Sequence, residues 1–293
     1  MSYFRILLKL ARPLHLFLAA MTYILGAGIA HYLGRPVQLV AFILGLLVVL
    51  LIQVASYWLV EYFRLPLTPL AKDELPRDRE FLRASLFQFT TAFLTVSGAI
   101  IVTLLIARLL PMQAAIILGL TILLFVAYAV PPMRLSEAGY GEIVQAVALG
   151  TLFPALGFLI QFGDFHRLLT FSTFPLTLLA LAYLLVNDFP FFASDQKFGR
   201  HSLLTRLSWP LAIPIHHLLI LMSFLFFALS PLLGFPWGLV WPVFLALPFA
   251  GIQIAWLQRI AGGGRAVWRF LVPLSATVFG LTVYLLTLTF WIR

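Results

Sequence analysis

The chain has 293 residues, of which 62% are hydrophobic and only 10% are charged. Soluble globular proteins have about 25% charged residues, so this composition excludes a soluble domain and indicates a polytopic membrane protein. The absence of cysteine excludes disulfides and thiolate metal sites. Lysine and arginine give a net charge of +9. We attribute this charge to membrane topology and not to nucleic-acid binding.

Nine apolar segments are each long enough to cross a membrane, which takes about 20 residues in a helix. Their approximate bounds are 15–33, 38–63, 84–107, 111–131, 142–162, 172–192, 209–232, 238–258 and 268–291. None of them alternates polar and apolar residues as the strands of a membrane barrel do. We therefore predict an all-α protein with nine transmembrane helices and a single domain spanning residues 1–293.

The basic residues are distributed unevenly between the two sides that nine helices define. The loops on one side and the C-terminus hold only Arg35, Arg108, Arg167 and Arg293, and the other 15 lysines and arginines lie on the side of the N-terminus. Because cytoplasmic loops carry the excess of positive charge, we predict a cytoplasmic N-terminus and an external C-terminus. All acidic residues except Asp164 also lie on the inner side. Polar chemistry is therefore expected at the cytoplasmic face.

The stretch 187–206 has the strongest functional signal and directly follows an apolar segment. Asp188 and Asp195 lie at the inner end of this predicted helix, where ionisable residues are functional candidates. Asn187, Phe191 and Asp195 are spaced four apart and so share one helix face. This face combines two candidate polar ligands with one apolar side chain.

Two other inner connections are polar. In the connection 128–142 (YAVPPMRLSEAGYGE) a Pro-Pro pair ends one helix, and two glycines permit a tight backbone before the next. This arrangement predicts that Arg134 and Glu142 lie close together, either as part of a binding site or as a structural clamp. The mixed-charge connection 64–83 predicts a solvated loop followed by a capped helix start.

Two further features have open interpretations. His216 and His217 lie inside the seventh segment, as an axial ligand to a haem or chlorophyll would, or as histidines buried against backbone carbonyls. The run Gly262-Gly263-Gly264 lacks the strand and the Lys-Ser/Thr pair of a phosphate-binding loop, so it predicts a turn.

The inner loops resemble the UbiA superfamily of intramembrane prenyltransferases, most closely the branch that prenylates dihydroxynaphthoate on the way to menaquinone. The residues similar to that branch's pattern Tyr-x-x-Pro-Pro-x-Arg-Leu…Gly-x-Gly-Glu…Gly are Tyr128, Pro131, Pro132, Arg134, Leu135, Gly139, Gly141, Glu142 and Gly150. The residues similar to the family's second aspartate motif are Asn187, Asp188, Asp195, Gly199, Arg200 and Leu203. Arg12-Pro13 also looks like the family's opening.

This resemblance implies a UbiA-like bundle of nine helices around a central cavity that opens to the cytoplasm, in a bacterial cytoplasmic membrane. It implies transfer of a prenyl group from a prenyl diphosphate to an aromatic quinone precursor, with Mg²⁺ holding the diphosphate. The implied catalytic residues are Asn187, Asp188 and Asp195, and the implied metal ligands are Asp188, Asp195 and Glu61. The implied substrate-binding residues are Arg134, Lys197, Arg200, Tyr128, Glu61 and Arg64. The expected partners are the isoprenoid substrate and membrane lipids.

The sequence also departs from the family pattern at ligand positions. Phe191 replaces the aspartate in the middle of the second motif, and the positions of the first motif read Tyr57, Val60, Glu61 and Arg64. The alternative hypothesis is therefore a non-catalytic descendant that binds a quinone, carotenoid or chlorophyll tail as a subunit of a larger respiratory or photosynthetic membrane complex. A transporter lacks support, because neither a mid-membrane charge nor a repeat is evident.

Overall fold

The computed structural model describes residues 3–64 and 76–293, so most of the predicted mixed-charge loop lies outside the described residues. The α-helices are α1 (Tyr3–Leu10), α2 (Pro13–Tyr32), α3 (Leu39–Tyr62), α4 (Pro76–Ile106), α5 (Met112–Ala129), α6 (Gly141–Val147), α7 (Phe153–Phe162), α8 (Arg167–Asp188), α9 (Phe192–Lys197), α10 (Leu203–Leu229), α11 (Trp237–Val240), α12 (Leu247–Ala261) and α13 (Trp268–Ile292). A π-helical turn joins α6 to α7, and 3₁₀ turns join α8 to α9 and flank α11.

Nine helical segments in the described part of the chain are long and apolar enough to cross a membrane. Each coincides with one of the nine predicted segments, so the prediction of an all-α membrane protein is confirmed. The largest difference concerns the sixth segment, which was predicted over 172–192 and extends over Arg167–Lys197. The helical path continues through the 3₁₀ turn Phe189–Phe191, and Asp188 and Asp195 therefore both belong to helical structure.

The spans differ in how deeply they are buried. Gly141–Phe162 is the most enclosed span, since 83% of an 18-residue stretch of it is buried. In Glu80–Ile106 only 17% of such a stretch is buried, so this span faces outward. The last helix, α13, packs back on the first spanning helix, α2, and on α8. The indole nitrogen of Trp291 in α13 donates to the carbonyl of Ile24 in α2 at 3.2 Å. These contacts close the bundle around the enclosed span.

The contact between α2 and α7 depends on two glycines. A Cβ atom added at Gly26 would lie 1.9 Å from the carbonyl oxygen of Pro154, and one added at Gly157 would lie 2.0 Å from that of Tyr23. Within a membrane, helix association depends on close packing because lipid and side chains are equally apolar. The two glycines therefore allow the two backbones to touch directly.

Many helix ends meet at the end of the bundle that we predict to be cytoplasmic. Helices α2, α6, α10 and α13 begin there, and helices α3, α5, α8 and α12 end there. The loop after α5 contacts the segment before α10 through a bridge between Ala138 and His201. Arg206 in α10 also donates to the hydroxyl of Tyr140 at 3.0 Å. The two motif-bearing loops are thereby joined into one wall.

His216 and His217 lie between α10 and α12. The Nε2 atom of His216 lies 2.8 Å from the side-chain nitrogen of Gln253, and Nε2 of His217 lies 3.3 Å from Oε1 of Gln258. The expectation of backbone carbonyl partners is therefore wrong, because these ring nitrogens contact glutamine side chains. The glycine run 262–264 lies in the turn between α12 and α13, as predicted.

Because the α2–α7 contact has no space for a side chain, we expect Gly26→Ala to lower the thermal stability of the purified protein. Overpacking costs about 1–3 kcal/mol, more than the ~1 kcal/mol that alanine gains over glycine inside a helix. Gly119→Ala in α5 is the matched control, because its Cβ meets no atom within 4 Å. Thermal unfolding in detergent measures the difference. Equal melting temperatures for the two variants would contradict this account of the contact.

Candidate functional site

A cavity of about 590 Å³ lies where the inner helix ends meet. Its basic lining residues are Lys9, Arg12, Arg64, Arg200 and Arg269, and its acidic ones are Glu61, Glu142, Asp188 and Asp195. Leu184, Trp268 and Val272 contribute apolar walls. The cavity therefore combines charged and apolar lining residues, as a site for a lipid with an anionic head group requires.

Seven of the nine predicted site residues line this cavity: Asn187, Asp188, Asp195, Arg200, Tyr128, Glu61 and Arg64. Phe191 lines it as well, so the predicted face of residues 187, 191 and 195 is brought together despite the 3₁₀ turn. The other two predicted residues, Arg134 and Lys197, lie outside the lining.

Arg134 is held away from Glu142. Its guanidinium forms an ion pair with Glu137 at 2.6 Å and donates to the carbonyl of Phe63 at 2.5 Å. The predicted pairing of Arg134 with Glu142 is therefore wrong, because a closer carboxylate three residues along the loop takes its place. Lys197 is exposed, and its ammonium lies 5.7 Å from the ring centroid of Phe198.

Asp188 and Glu142 form the least compensated part of the site. Asp188 lies in the last turn of α8 with its side chain against Glu142, and its Oδ2 atom is buried without a hydrogen-bond partner in the described part of the chain. Glu142 lies in the first turn of α6 and accepts a hydrogen bond from the backbone amide of Leu203 at 3.0 Å. Two adjacent carboxylates repel each other unless a cation or a proton lies between them.

Asp195 and Arg200 form a second, looser group. The Asp195 side chain is buried, and Oδ1 lies 3.9 Å from the nearest guanidinium nitrogen of Arg200. The backbone amide of Arg200 donates to the carbonyl of Asp195 at 2.9 Å, which fixes the turn after α9. The long charge contact leaves hydrogen-bonding capacity on the guanidinium for a ligand.

Glu61 and Arg64 replace the expected first metal cluster with an ion pair. Oε2 of Glu61 lies 2.9 Å from Nη1 of Arg64, which follows the end of α3. Arg83 donates to the carbonyl of Arg64, next to the carbonyl of Phe63 that Arg134 bonds. Cations near a helix C-terminus are stabilised by its dipole. The end of α3 is therefore fixed by arginines.

Arg12 is a cavity residue that the sequence reading did not select as a site residue. It precedes α2 with a left-handed backbone (φ 52°), and its guanidinium lies 4.9 Å from the ring centroid of Tyr57. Burial lowers the pKa of Arg12. Tyr128, Tyr57 and nearby carboxylates raise this pKa by a larger amount, so the net pKa lies above its ordinary value. Arg12 therefore remains a cation. Its position in the family-like Arg-Pro opening was the signal that could have identified it.

The donor set fits one Mg²⁺ ion but not two. The described residues contain no group of three or more histidine, cysteine, aspartate or glutamate side chains able to hold a metal. Asp188 and Glu142 supply hard oxygen ligands, and Mg²⁺ is commonly bound by one or two carboxylates together with water and substrate phosphates. Glu61 does not fit as a ligand of a second ion, because its carboxylate is bonded to Arg64.

No family model matches the sequence, and no curated protein matches it either. Several solved structures match its fold, including the following three. A structure of digeranylgeranylglyceryl phosphate synthase has 14% identity and a TM-score of 0.57, with 100% of this chain and 98% of that chain covered. A UbiA homologue from Archaeoglobus fulgidus, solved with bound Cd²⁺, has 14% identity and a TM-score of 0.55, with 98% and 99% covered. A UbiA homologue from Aeropyrum pernix K1 has 13% identity and a TM-score of 0.51, with 94% and 95% covered.

This chain has the UbiA fold. The coverage extends over nearly the whole length of the chain and of each matched structure. The charged cavity thus lies in a bundle with the UbiA fold.

The unpartnered carboxylate yields a prediction for the ligand-free protein. We expect Asp188→Asn to raise its thermal stability, because the change removes a carboxyl group that is buried against Glu142, and a buried unpaired polar group costs about 1–3 kcal/mol. Asp164→Asn, on an exposed outer loop, is the control and should change little. Thermal unfolding without divalent cations measures both variants. A destabilised Asp188→Asn protein would show that the carboxylate is already compensated.

Proposed function

We propose that this protein is a divergent UbiA-type prenyltransferase homologue that binds an isoprenoid diphosphate and transfers the prenyl group to an aromatic quinone precursor. The observation that carries the proposal is the buried pair of Asp188 and Glu142 in a cavity that five basic side chains also line. A carboxylate pair of this kind suits a divalent cation, and the basic residues suit a diphosphate. The 293 residues would act as one domain.

In the proposed reaction Arg12, Arg64 and Arg200 bind the diphosphate oxygens. Asp188, Glu142 and Asn187 would hold Mg²⁺, which would neutralise the charge that develops on the diphosphate as the prenyl C–O bond breaks. Asp195 would position Arg200 from the far side. The aromatic face of Tyr128 lies in the same cavity, where it can stabilise the positive charge left on the prenyl carbon.

In this scheme the guanidinium of Arg64 contacts the phosphate directly, in place of a side chain that would bind a metal ion. A guanidinium has five N–H donors, and the bond to Glu61 uses one of its terminal nitrogens. The remaining donors can bind a phosphate without a second metal ion. One well-placed electrostatic contact in a transition state contributes about 2–4 kcal/mol, so the substitution changes how the charge is stabilised without removing the stabilisation.

A specific observation also supports a non-catalytic descendant. The Glu61–Arg64 pair removes the acidic character of the first motif, and Phe191 exposes 57% of its surface at the position of a second-motif aspartate. A cavity with these changes is suited to hold an isoprenoid tail, as in a quinone, a carotenoid or a chlorophyll. Such a protein would act as a subunit of a larger membrane complex.

Prenyl transfer by the reconstituted protein separates the two candidates. We expect label from geranylgeranyl diphosphate to reach a dihydroxylated aromatic acceptor, 1,4-dihydroxynaphthalene or 1,4-dihydroxy-2-naphthoate, in the presence of Mg²⁺. Asp188→Ala should lower kcat/KM by about 10²–10³-fold, because it removes one charge contact to the transition state. Asp164→Ala is the matched control and should retain activity. Absence of turnover, together with recovery of the wild-type protein in a stoichiometric complex, would establish the non-catalytic candidate instead.

We further propose a bacterial cytoplasmic membrane as the location, with the N-terminus and the cavity on the cytoplasmic side. The charge distribution of the loops supports this orientation. The outer loop around Asp164 and the turn at Gly262 would then lie on opposite sides of the membrane.

The absence of native cysteine makes this orientation directly testable. We expect a membrane-impermeant maleimide to label Asp164→Cys in intact cells, because this exposed position would face outward. Gly262→Cys, also exposed, should be labelled only after the cells are permeabilised. The reverse pattern would invert the proposed topology, and the two variants serve as controls for each other.

A further inference from the structure

Beneath the charged rim of the cavity lies a second set of polar residues on the same four helices. The rim residues at the helix ends are Arg12, Glu61, Glu142 and Asn187, and the residues one turn deeper are His15, Tyr57, Gln145 and Tyr183. The spacing of three or four residues corresponds to roughly 4–6 Å along each helix. We call the deeper four residues, together with Gln53, the neutral layer. It contains imidazole, phenol and amide groups only.

The neutral layer is connected by hydrogen bonds across three helices. The hydroxyl of Tyr57 donates to Oε1 of Gln145 at 3.1 Å, and Nε2 of Gln53 donates to the same oxygen at 2.7 Å. Nδ1 of His15 lies 2.9 Å from the Tyr57 oxygen. Because the single proton of the Tyr57 hydroxyl is given to Gln145, Nδ1 of His15 must be the donor to Tyr57. A neutral His15 ring then carries its lone pair on Nε2.

Three atoms of this layer are buried and lack hydrogen-bond partners among the described residues: Oε1 of Gln53, Nε2 of Gln145 and the hydroxyl of Tyr183. All three side chains are at least 98% buried. Native proteins almost always satisfy buried polar groups, so such a cluster indicates an ordered water or a ligand. His15 and Gln145 line the cavity, so the neutral layer borders the same space as the charged rim.

We propose that the neutral layer binds the uncharged, hydroxyl-bearing ring of the prenyl acceptor and that Nε2 of His15 accepts the proton of that hydroxyl. The transfer step rests on the function proposed above, whereas the binding of the ring does not. In this step the prenyl C1–O bond breaks and its electron pair leaves with the diphosphate. The acceptor hydroxyl loses its proton to His15, and the ring carbon beside that hydroxyl forms the new bond to C1. This carbon then loses its own proton, and the ring becomes aromatic again.

The chemistry of the layer selects against a charged acceptor. Lysine, arginine and carboxylate side chains are absent from the five residues of the layer, so an acceptor carboxylate would be buried there unpaired, which is costly. The rim residue Arg12 is a cation that touches the layer, because its guanidinium lies over the Tyr57 ring at 4.9 Å from its centroid. In the proposed reaction Arg12 binds the diphosphate. A ring with hydroxyl groups and no carboxylate therefore fits best.

Two probes test the two layers separately. The probe for the neutral layer is 1,4-dihydroxynaphthalene, compared with 1,4-dihydroxy-2-naphthoate, and the probe for the rim is geranylgeranyl S-thiolodiphosphate, which resists cleavage. Calorimetric titration of the purified full-length protein under argon measures each affinity. We expect wild-type protein to bind dihydroxynaphthalene at least tenfold more tightly than the naphthoate.

Variants in each layer provide the matched comparison. Gln145→Leu and His15→Asn should weaken dihydroxynaphthalene binding at least tenfold and leave thiolodiphosphate binding within twofold. Arg200→Gln should do the reverse. Tyr183→Phe, which removes only one hydroxyl, serves as a second variant if Gln145→Leu melts at a lower temperature than wild type. Its expected effect is a smaller loss for the same probe.

The outcomes separate this inference from the proposed function. Unchanged dihydroxynaphthalene binding in Gln145→Leu, His15→Asn and Tyr183→Phe would show that the layer holds ordered water only and would overturn the proposal. Equal loss of both probes would show a structural role and overturn it as well. Wild-type protein that binds the ring but not the thiolodiphosphate would support the neutral layer as a binding site and contradict the proposed function. Binding of neither would contradict both.

Discussion

The cost of placing charge in hydrocarbon determines where this protein can carry out polar chemistry. Ionised side chains inside a bilayer need a partner or access to water, so they collect at helix ends. Here the inner helix ends supply both signs of charge, and some of the described charges form ion pairs: Glu61 with Arg64, Asp195 with Arg200 and Glu137 with Arg134. Asp188 is different, because Oδ2 is buried without a hydrogen-bond partner among the described residues. The pairing of its neighbours makes this carboxylate the position where an external cation is most needed.

The surrounding helices are positioned by contacts that contain no charge. Gly26 and Gly157 bring the backbones of α2 and α7 together, and α13 packs against α2 to close the bundle. These contacts fix the helix axes. Residues that lie one turn inward from the helix ends therefore reach a similar depth on different helices. The charged rim and the neutral layer beneath it follow from this alignment. In the proposed reaction the anionic diphosphate would meet the rim, and the uncharged polar ring of the acceptor would meet the neutral layer.

The fold could be predicted from the sequence because runs of about 20 apolar residues have few alternatives in a membrane. The second motif could also be located, since Asp188 and Asp195 interrupt an apolar segment. The local sequence did not show which carboxylate would pair with Arg134. The guanidinium of Arg134 pairs with Glu137 and not with Glu142, because the tight loop brings the nearer carboxylate into reach. The local sequence also did not reveal His15, Tyr57 and Gln145 as a group. They come from three distant helices and meet only through packing.

The two candidate functions differ physically in how the cavity treats a departing negative charge. An isoprenoid tail needs only apolar cavity walls, and the same walls serve both candidate functions. A departing diphosphate needs a cation that is not already neutralised by a carboxylate. Arg64 is partly engaged, because one of its terminal nitrogens bonds to Glu61. The other donors of that guanidinium, together with Arg12 and Arg200, remain for phosphate oxygens. Phe191 exposes 57% of its surface and lines the same cavity as Asp195. Under the proposed function, the strength of the arginine contacts decides whether a bound prenyl diphosphate reacts or only binds.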